Sequence, residues 1–65
     1  MDHNVLANFR YWMSKRALSH KQVADVLGVS AATLYDRFRR PEKFRMEEIQ
    51  AFAAYLQIET EAMMR

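Results

Sequence analysis

The 65-residue sequence contains no cysteine and only one glycine and one proline. The absence of cysteine excludes a disulfide framework and a thiolate metal site, and it fits a reducing compartment. The shortage of glycine and proline argues against disorder and against an all-β chain with many turns. No apolar run approaches the roughly 20 residues of a membrane span, and the first residues lack a basic leader followed by an apolar block. We therefore expect a cytoplasmic protein with no membrane partner.

Residues suited to catalysis are also scarce. The chain has no histidine–carboxylate cluster with metal-ligand spacing and no glycine-rich loop, and Ser19 and Ser30 stand at predicted helix caps, where their hydroxyls are already occupied. His3 is too far from His20 along the chain to form a metal site with it. We expect no enzyme activity, no metal, no cofactor and no small-molecule ligand.

What the sequence does contain is a hydrophobic fraction of 51% in a chain long enough for one domain. At this size the burial of apolar area only just offsets chain entropy, so the core must be efficient or a partner must help. The composition therefore predicts a single all-α domain, residues 1–65, and the size favours a homodimer.

Charge is unevenly distributed along the chain, although the net charge is only +2. Residues 37–45 carry five cations against Glu42 alone, whereas residues 46–65 carry four acids against Arg65 alone. The first of these segments should attract polyanions, and the second should not.

Apolar residues at spacings of three and four predict five short helices, over residues 4–16, 20–27, 31–39, 46–57 and 59–64. Asn4, Ser19 and Ser30 are the predicted N-caps, and Ser19 with Gln22 has the form of a capping box. Gly28 is predicted to adopt a left-handed conformation between the second and third helices.

The second half of the chain should pack through the loop and the fourth helix. Pro41 is predicted to end the third helix, and Phe44 to anchor the loop of residues 41–45 in the core. The predicted inner stripe of the fourth helix comprises Met46, Ile49, Phe52, Ala53 and Leu56, with Tyr55 half-buried beside it. In the fifth helix, Met63 and Met64 are predicted to be either a frayed tail or, with Ile58, a dimer contact.

An ordered set of residues across the second and third helices resembles the lambda-repressor/Cro (XRE) family of helix-turn-helix proteins. The residues that carry the resemblance are Leu18, Ser19, Val23, Ala24, Leu27, Gly28, Val29, Ser30 and Leu34. The similarity extends over nearly the whole chain, and residues 34–58 look like small phage Cro-like and repressor-like members. The resemblance implies a lambda-repressor-like fold and a transcriptional repressor or Cro-like regulator. Such a protein binds double-stranded DNA sequence-specifically as a homodimer on a two-fold operator, in a bacterial cell or phage-infected host.

The family's use of its recognition helix carries over to this chain position by position. The resemblance implies base reading by Ser30, Ala31, Ala32, Tyr35, Asp36 and Arg39. Phosphate contacts are expected from His20, Lys21, Thr33, Arg37, Arg40, Lys43 and Arg45. Two alanines on an outward face allow close approach to the groove, and their methyl groups can contact thymine methyls.

Three of the base-reading side chains keep more than one interpretation. Arg39, with Arg37 beside it, is a candidate for guanine. Asp36 is a cytosine acceptor, an orienter of an arginine, or the partner in a local ion pair with Arg39 or Arg40. Tyr35 is a candidate for a phosphate or a thymine methyl.

The sequence departs from the family where an arginine of the first helix often pairs with a glutamate of the third. Met13 and Phe38 stand at the matching positions, and we predict that they contact each other. The leading alternative function is a protein-interaction module that keeps the fold, such as an antitoxin or an antirepressor. The basic segment 37–45 argues against it.

Overall fold

A computed structural model describes residues 2–65, with the side chains of residues 4–65. All the regular secondary structure of these residues is helical. The four α-helices are α1 (Asp2–Lys15), α2 (His20–Leu27), α3 (Ala31–Arg39) and α4 (Met46–Leu56). Two short 3-10 turns follow α3 and α4, at Pro41–Lys43 and Thr60–Met63. The prediction of an all-α chain is confirmed. None of these helices combines the length and the apolar character needed to cross a bilayer.

The ends of α2 and α3 are fixed by the residues that the sequence indicates. Ser19 Oγ accepts the Gln22 N–H at 3.1 Å, and Gln22 Oε1 accepts the Ser19 N–H at 2.8 Å, so the capping box is confirmed. Gly28 has a φ of 74°, in the left-handed region, as predicted. Ser30 Oγ accepts the Thr33 N–H at 3.1 Å and caps α3. Only the three residues 28–30 separate the two helices.

Other helix boundaries differ from the prediction. The helix α1 begins at Asp2, so Asn4 lies within it and is not its N-cap. The predicted fifth helix, residues 59–64, is a 3-10 turn in which the Ala62 N–H donates to the Glu59 carbonyl at 2.9 Å. Gln57, in a left-handed conformation with a φ of 61°, ends α4 one residue early.

The core is centred on Phe9 of α1, which is fully buried. Its ring stacks between Phe44, with centroids 4.5 Å apart, and Phe52 of α4, at 4.4 Å. Phe38 of α3 meets the same ring edge-on at 6.2 Å. Phe44 is therefore the core anchor of the loop after α3, as predicted. Each such ring pair is worth about 0.5–1.5 kcal/mol beyond its buried area.

Two apolar side chains, Met63 and Met46, lie elsewhere than predicted. Met63 is fully buried in the core, so it is not available as a dimer contact. Asn8 Nδ2 of α1 donates a hydrogen bond to the Met63 carbonyl at 3.0 Å, which attaches the C-terminal turn to α1. Met46, predicted to face the core, is 48% exposed, whereas Tyr55 is half-buried as predicted, at 49% exposed. The inner stripe of α4 is already filled by the rest of the predicted set, Ile49, Phe52, Ala53 and Leu56.

Met13 and Phe38 belong to the same part of the molecule. Met13 is buried in the core, and Phe38 packs against that core from α3. The ring neighbours of Phe38 are Phe9, Phe44 and His20. A direct contact between Met13 and Phe38 stays a prediction.

Candidate nucleic-acid interface

One face of α3 is turned to solvent, because Leu34 is fully buried on the other face and Phe38 packs against the core. The predicted base-reading residues lie on the solvent side or at its N-terminal cap: Ser30, Ala31, Ala32, Tyr35 and Arg39 are exposed, and Asp36 is partly buried. The first turn of this face carries only methyl side chains and hydroxyls. A helix with such a surface can approach another macromolecule closely at its N-terminal end.

Asp36 and Arg39 form an ion pair on this face. Arg39 Nη2 lies 3.5 Å from Asp36 Oδ1, with the Arg39 side chain 77% exposed. The prediction of a local ion pair for Asp36 is confirmed. An exposed pair of this kind contributes only about 0–1 kcal/mol, so the arginine remains available to a competing acceptor.

Tyr35 is stacked on His20 from the neighbouring helix. The imidazole of His20, the first residue of α2, lies 4.6 Å from the Tyr35 ring, with 16° between the ring planes. The imidazole also lies 5.4 Å from the Phe38 ring. His20, predicted as a phosphate contact, therefore joins α2 to two aromatic residues of α3.

Four exposed cations lie at the start of α2 and in the segment that follows α3. Lys21 follows His20 at the start of α2, Arg40 follows the end of α3, and Lys43 and Arg45 lie in the loop. Among the side chains that the structure describes, none of the four has a carboxylate within 4 Å. Lys43 and Arg45 flank the partly buried anchor Phe44, which fixes the backbone between them. Thr33 is also a predicted phosphate contact, and it is partly buried. Its Oγ1 accepts a hydrogen bond from the Ser30 hydroxyl at 3.0 Å.

The structure corrects the prediction for Arg37. Its Nε and Nη2 donate to the two carboxylate oxygens of Glu48 at 3.1 and 3.2 Å. The Arg37 side chain is only 12% exposed and that of Glu48 only 5%. Arg37 projects from the flank of α3 toward α4 instead of solvent, so it joins two helices and does not present its charge to a polyanion.

Glu48 also holds the loop that carries two of the exposed cations. Its Oε1 accepts the Arg45 N–H at 3.0 Å in addition to the Arg37 guanidinium. Burial alone raises the pKa of this carboxyl. The hydrogen bonds from Arg37 and from the Arg45 backbone outweigh that effect and lower the pKa below its usual value. The carboxylate hydrogen bond raises the pKa of Arg37 in turn.

Two of these contacts are not predicted by any local sequence pattern. The Glu48 carboxylate belongs to the first turn of α4, where an acid is favourable in any helix, and its partner lies 11 residues earlier. The stack of His20 on Tyr35 depends on the packing of α2 against α3. Only the spacing of Glu48 three residues after Arg45, which resembles a capping box, indicates that this carboxylate is bonded locally.

Comparison with other proteins adds no further constraint: no family model, curated protein or solved structure matches this chain. Within the described residues, no group of three or more acidic or histidine side chains is placed to hold a metal ion. The function is therefore inferred from the chemistry of the α3 face and of the four exposed cations.

Proposed function

We propose that the protein binds double-stranded DNA sequence-specifically, with α2 and α3 acting as a helix-turn-helix and α3 entering the major groove. The observation that carries the proposal is the exposed face of α3, together with four exposed cations at the start of α2 and just after α3 that have no described carboxylate partner. This division of chemistry matches DNA recognition, in which cations on phosphates position a protein and a helix face reads base edges.

The order of side chains along α3 supports a specific mode of reading. Ala31 and Ala32 leave room for the helix backbone at its N-terminal end, where family members lie deepest in the groove. Tyr35 and Arg39 follow at intervals of about one turn on the same side. Arg39, oriented by Asp36, is the candidate for a guanine, because an arginine donates two parallel hydrogen bonds to its O6 and N7.

We further propose that the protein is a transcriptional repressor or Cro-like regulator that acts as a homodimer on a two-fold operator. A nine-residue recognition helix buries little surface, and two copies that read half-sites one turn apart multiply the discrimination of one. Because Met63 is buried, the dimer contact cannot include it. Ile58 and Met64, both partly exposed at the C-terminal end, remain candidates.

Binding to random duplex DNA over a range of salt concentrations tests the proposal. Each neutralised phosphate contributes about −0.9 to the slope of log affinity against log salt. If Lys21, Arg40, Lys43 and Arg45 each contact one phosphate, the slope is about −3.6 per protomer. No binding at low salt would overturn the DNA proposal and favour the protein-interaction module instead.

Two matched variants separate this surface from general charge effects. Lys43→Gln should reduce the salt slope by about 0.9 per protomer, because it removes one phosphate contact. Arg65→Gln removes the same charge at the C-terminal end of the chain, next to Asn8 of α1, and should leave the slope unchanged. Equal effects of the two substitutions would show that binding depends on net charge and not on this face.

A further inference from the structure

A continuous series of ring contacts connects Tyr35 on the surface with the centre of the core. Tyr35 stacks on His20, His20 contacts Phe38, and Phe38 meets Phe9, with centroid distances of 4.6, 5.4 and 6.2 Å. Phe9 is fully buried, whereas Tyr35 is 51% exposed. The exposed phenol ring is therefore supported from within the protein.

This support restricts the orientation of Tyr35 before any ligand is bound. With only 16° between the ring planes, the imidazole covers one face of the phenol ring. An unsupported tyrosine on a helix surface would change rotamer freely, and fixing it on binding would cost conformational entropy. Because His20 belongs to α2 and Tyr35 to α3, the restriction depends on both helices.

The second face of the Tyr35 ring is the part left open to a ligand. Tyr35 lies one turn after Ala31, so both side chains belong to the row that faces the groove in the proposed mode of binding. The only apolar group on a base edge in the major groove is the thymine methyl. A ring face is apolar and fits that methyl, whereas phosphate oxygens lie along the groove walls, where the four exposed cations are better suited to bind them.

We propose that Tyr35 reads a thymine methyl with its open ring face, and that His20 is the positioning residue that holds the ring for this contact. The proposal rests on the DNA-binding function proposed above. It assigns His20 to base discrimination, where the resemblance implied a contact with the phosphate backbone.

Replacement of thymine by deoxyuridine tests the proposal, because it removes only the methyl group. An operator is first selected from a random duplex library, and each thymine of a half-site is then replaced in turn. The wild type should lose about fourfold in affinity at one thymine per half-site, the effect of removing one methyl from an apolar contact. Tyr35→Ala should bind both duplexes equally at that position. Tyr35→Phe should keep the discrimination, because the ring remains.

Variants of His20 distinguish positioning from phosphate contact. His20→Ala should lose most of the discrimination between thymine and deoxyuridine although Tyr35 is intact. His20→Phe should keep it, because a phenyl ring preserves the stack without an N–H donor. Lys21→Ala, the adjacent matched control, should weaken binding to both duplexes equally. Thermal unfolding confirms that each variant is folded, and the ring-current shifts of the free protein in proton NMR report the stack directly.

The results separate this inference from the proposed function. A wild type that binds no duplex at low salt overturns both. If DNA is bound but no thymine effect depends on Tyr35, or if Tyr35→Phe abolishes that effect, the methyl contact is wrong. If His20→Ala keeps the discrimination, or if His20→Phe loses affinity for both duplexes as a phosphate contact would, the positioning role is wrong.

Discussion

The ion pair between Arg37 and Glu48 should dominate the polar contribution to stability, and replacing Glu48 alone by methionine should test it. The substitution removes two hydrogen bonds from Arg37 and one from the Arg45 N–H. It also leaves a guanidinium that is only 12% exposed without its counter-charge. Breaking a buried pair in this way costs about 3–5 kcal/mol, and we expect the lower end because the arginine retains some contact with water.

A loss of about 3 kcal/mol is large for this chain. At roughly 0.05–0.15 kcal/mol per residue, a domain of this size has a total free energy of unfolding of about 3–10 kcal/mol. The melting temperature should therefore fall by about 12–24 °C. Urea unfolding followed by the fluorescence of Trp12, the single tryptophan, measures the change in the free energy of unfolding directly.

The double variant Arg37→Met with Glu48→Met separates the pair from its desolvation cost. Two apolar side chains of similar length should restore stability to within about 1 kcal/mol of the wild type, because neither buried charge is then left alone. Asp36→Asn, which removes the exposed pair with Arg39 from the same helix, is the matched control and should cost about 0.5 kcal/mol or less. A double variant as unstable as Glu48→Met alone would refute this account, as would equal costs for Glu48→Met and the control.

The lowered pKa of Glu48 also predicts the direction of the pH dependence. The carboxyl binds its proton less tightly in the folded than in the unfolded protein, so the stabilisation is complete above the unfolded pKa of about 4.3. It is lost as the pH falls through the lower folded pKa. The wild type should therefore lose stability below about pH 5 more steeply than the double variant. Parallel pH profiles of the two proteins would show that other carboxylates cause the acid sensitivity.

Three further substitutions test local parts of the fold. Gly28→Ala should cost about 1 kcal/mol in urea unfolding, because the left-handed backbone is strained for alanine while the added methyl meets open space; a cost above about 3 kcal/mol would indicate a steric clash instead. Ser19→Ala should cost about 1 kcal/mol through loss of the α2 cap, and Ser19→Asp should restore most of it. Met63→Ala should cost about 2–5 kcal/mol independently of protein concentration, as a core cavity does, whereas a cost that shrinks on dilution would indicate a dimer contact.

The parts of the fold that depend on neighbouring residues are predicted well from the sequence. The caps at Ser19, Gly28 and Ser30 each need only a side chain or a φ angle within a few residues, and all three are where they are expected. Phe44 is predictable because it is the only large apolar residue in a polar loop. The prediction of Asn4 as an N-cap is wrong because α1 begins two residues earlier, at Asp2.

The parts that depend on contacts between helices are not predictable from spacing alone. Met46 continues the apolar stripe of α4 in sequence, but it is 48% exposed, so the first member of that stripe lies outside the core. Met63 is separated from Asn8 by 55 residues, and their hydrogen bond places the C-terminal turn against α1. The basic segment 37–45 is likewise evident from the sequence, but spacing alone does not reveal that Arg37 is paired with Glu48 of α4.

The internal use of Arg37 has a consequence for the proposed interface. Glu48 accepts hydrogen bonds from Arg37 of α3 and from the backbone N–H of Arg45. Phe44, which lies between Lys43 and Arg45 in the sequence, stacks on Phe9 in the core. The loop is therefore attached to the rest of the protein through the Phe44 ring and the Arg45 backbone, next to its two cations, Lys43 and Arg45. A cation on such a loop loses less conformational freedom on meeting a phosphate than one on a free segment. Arg37 is thus not available at the surface, but its partner Glu48 fixes the backbone of Arg45, one of the cations that remain there.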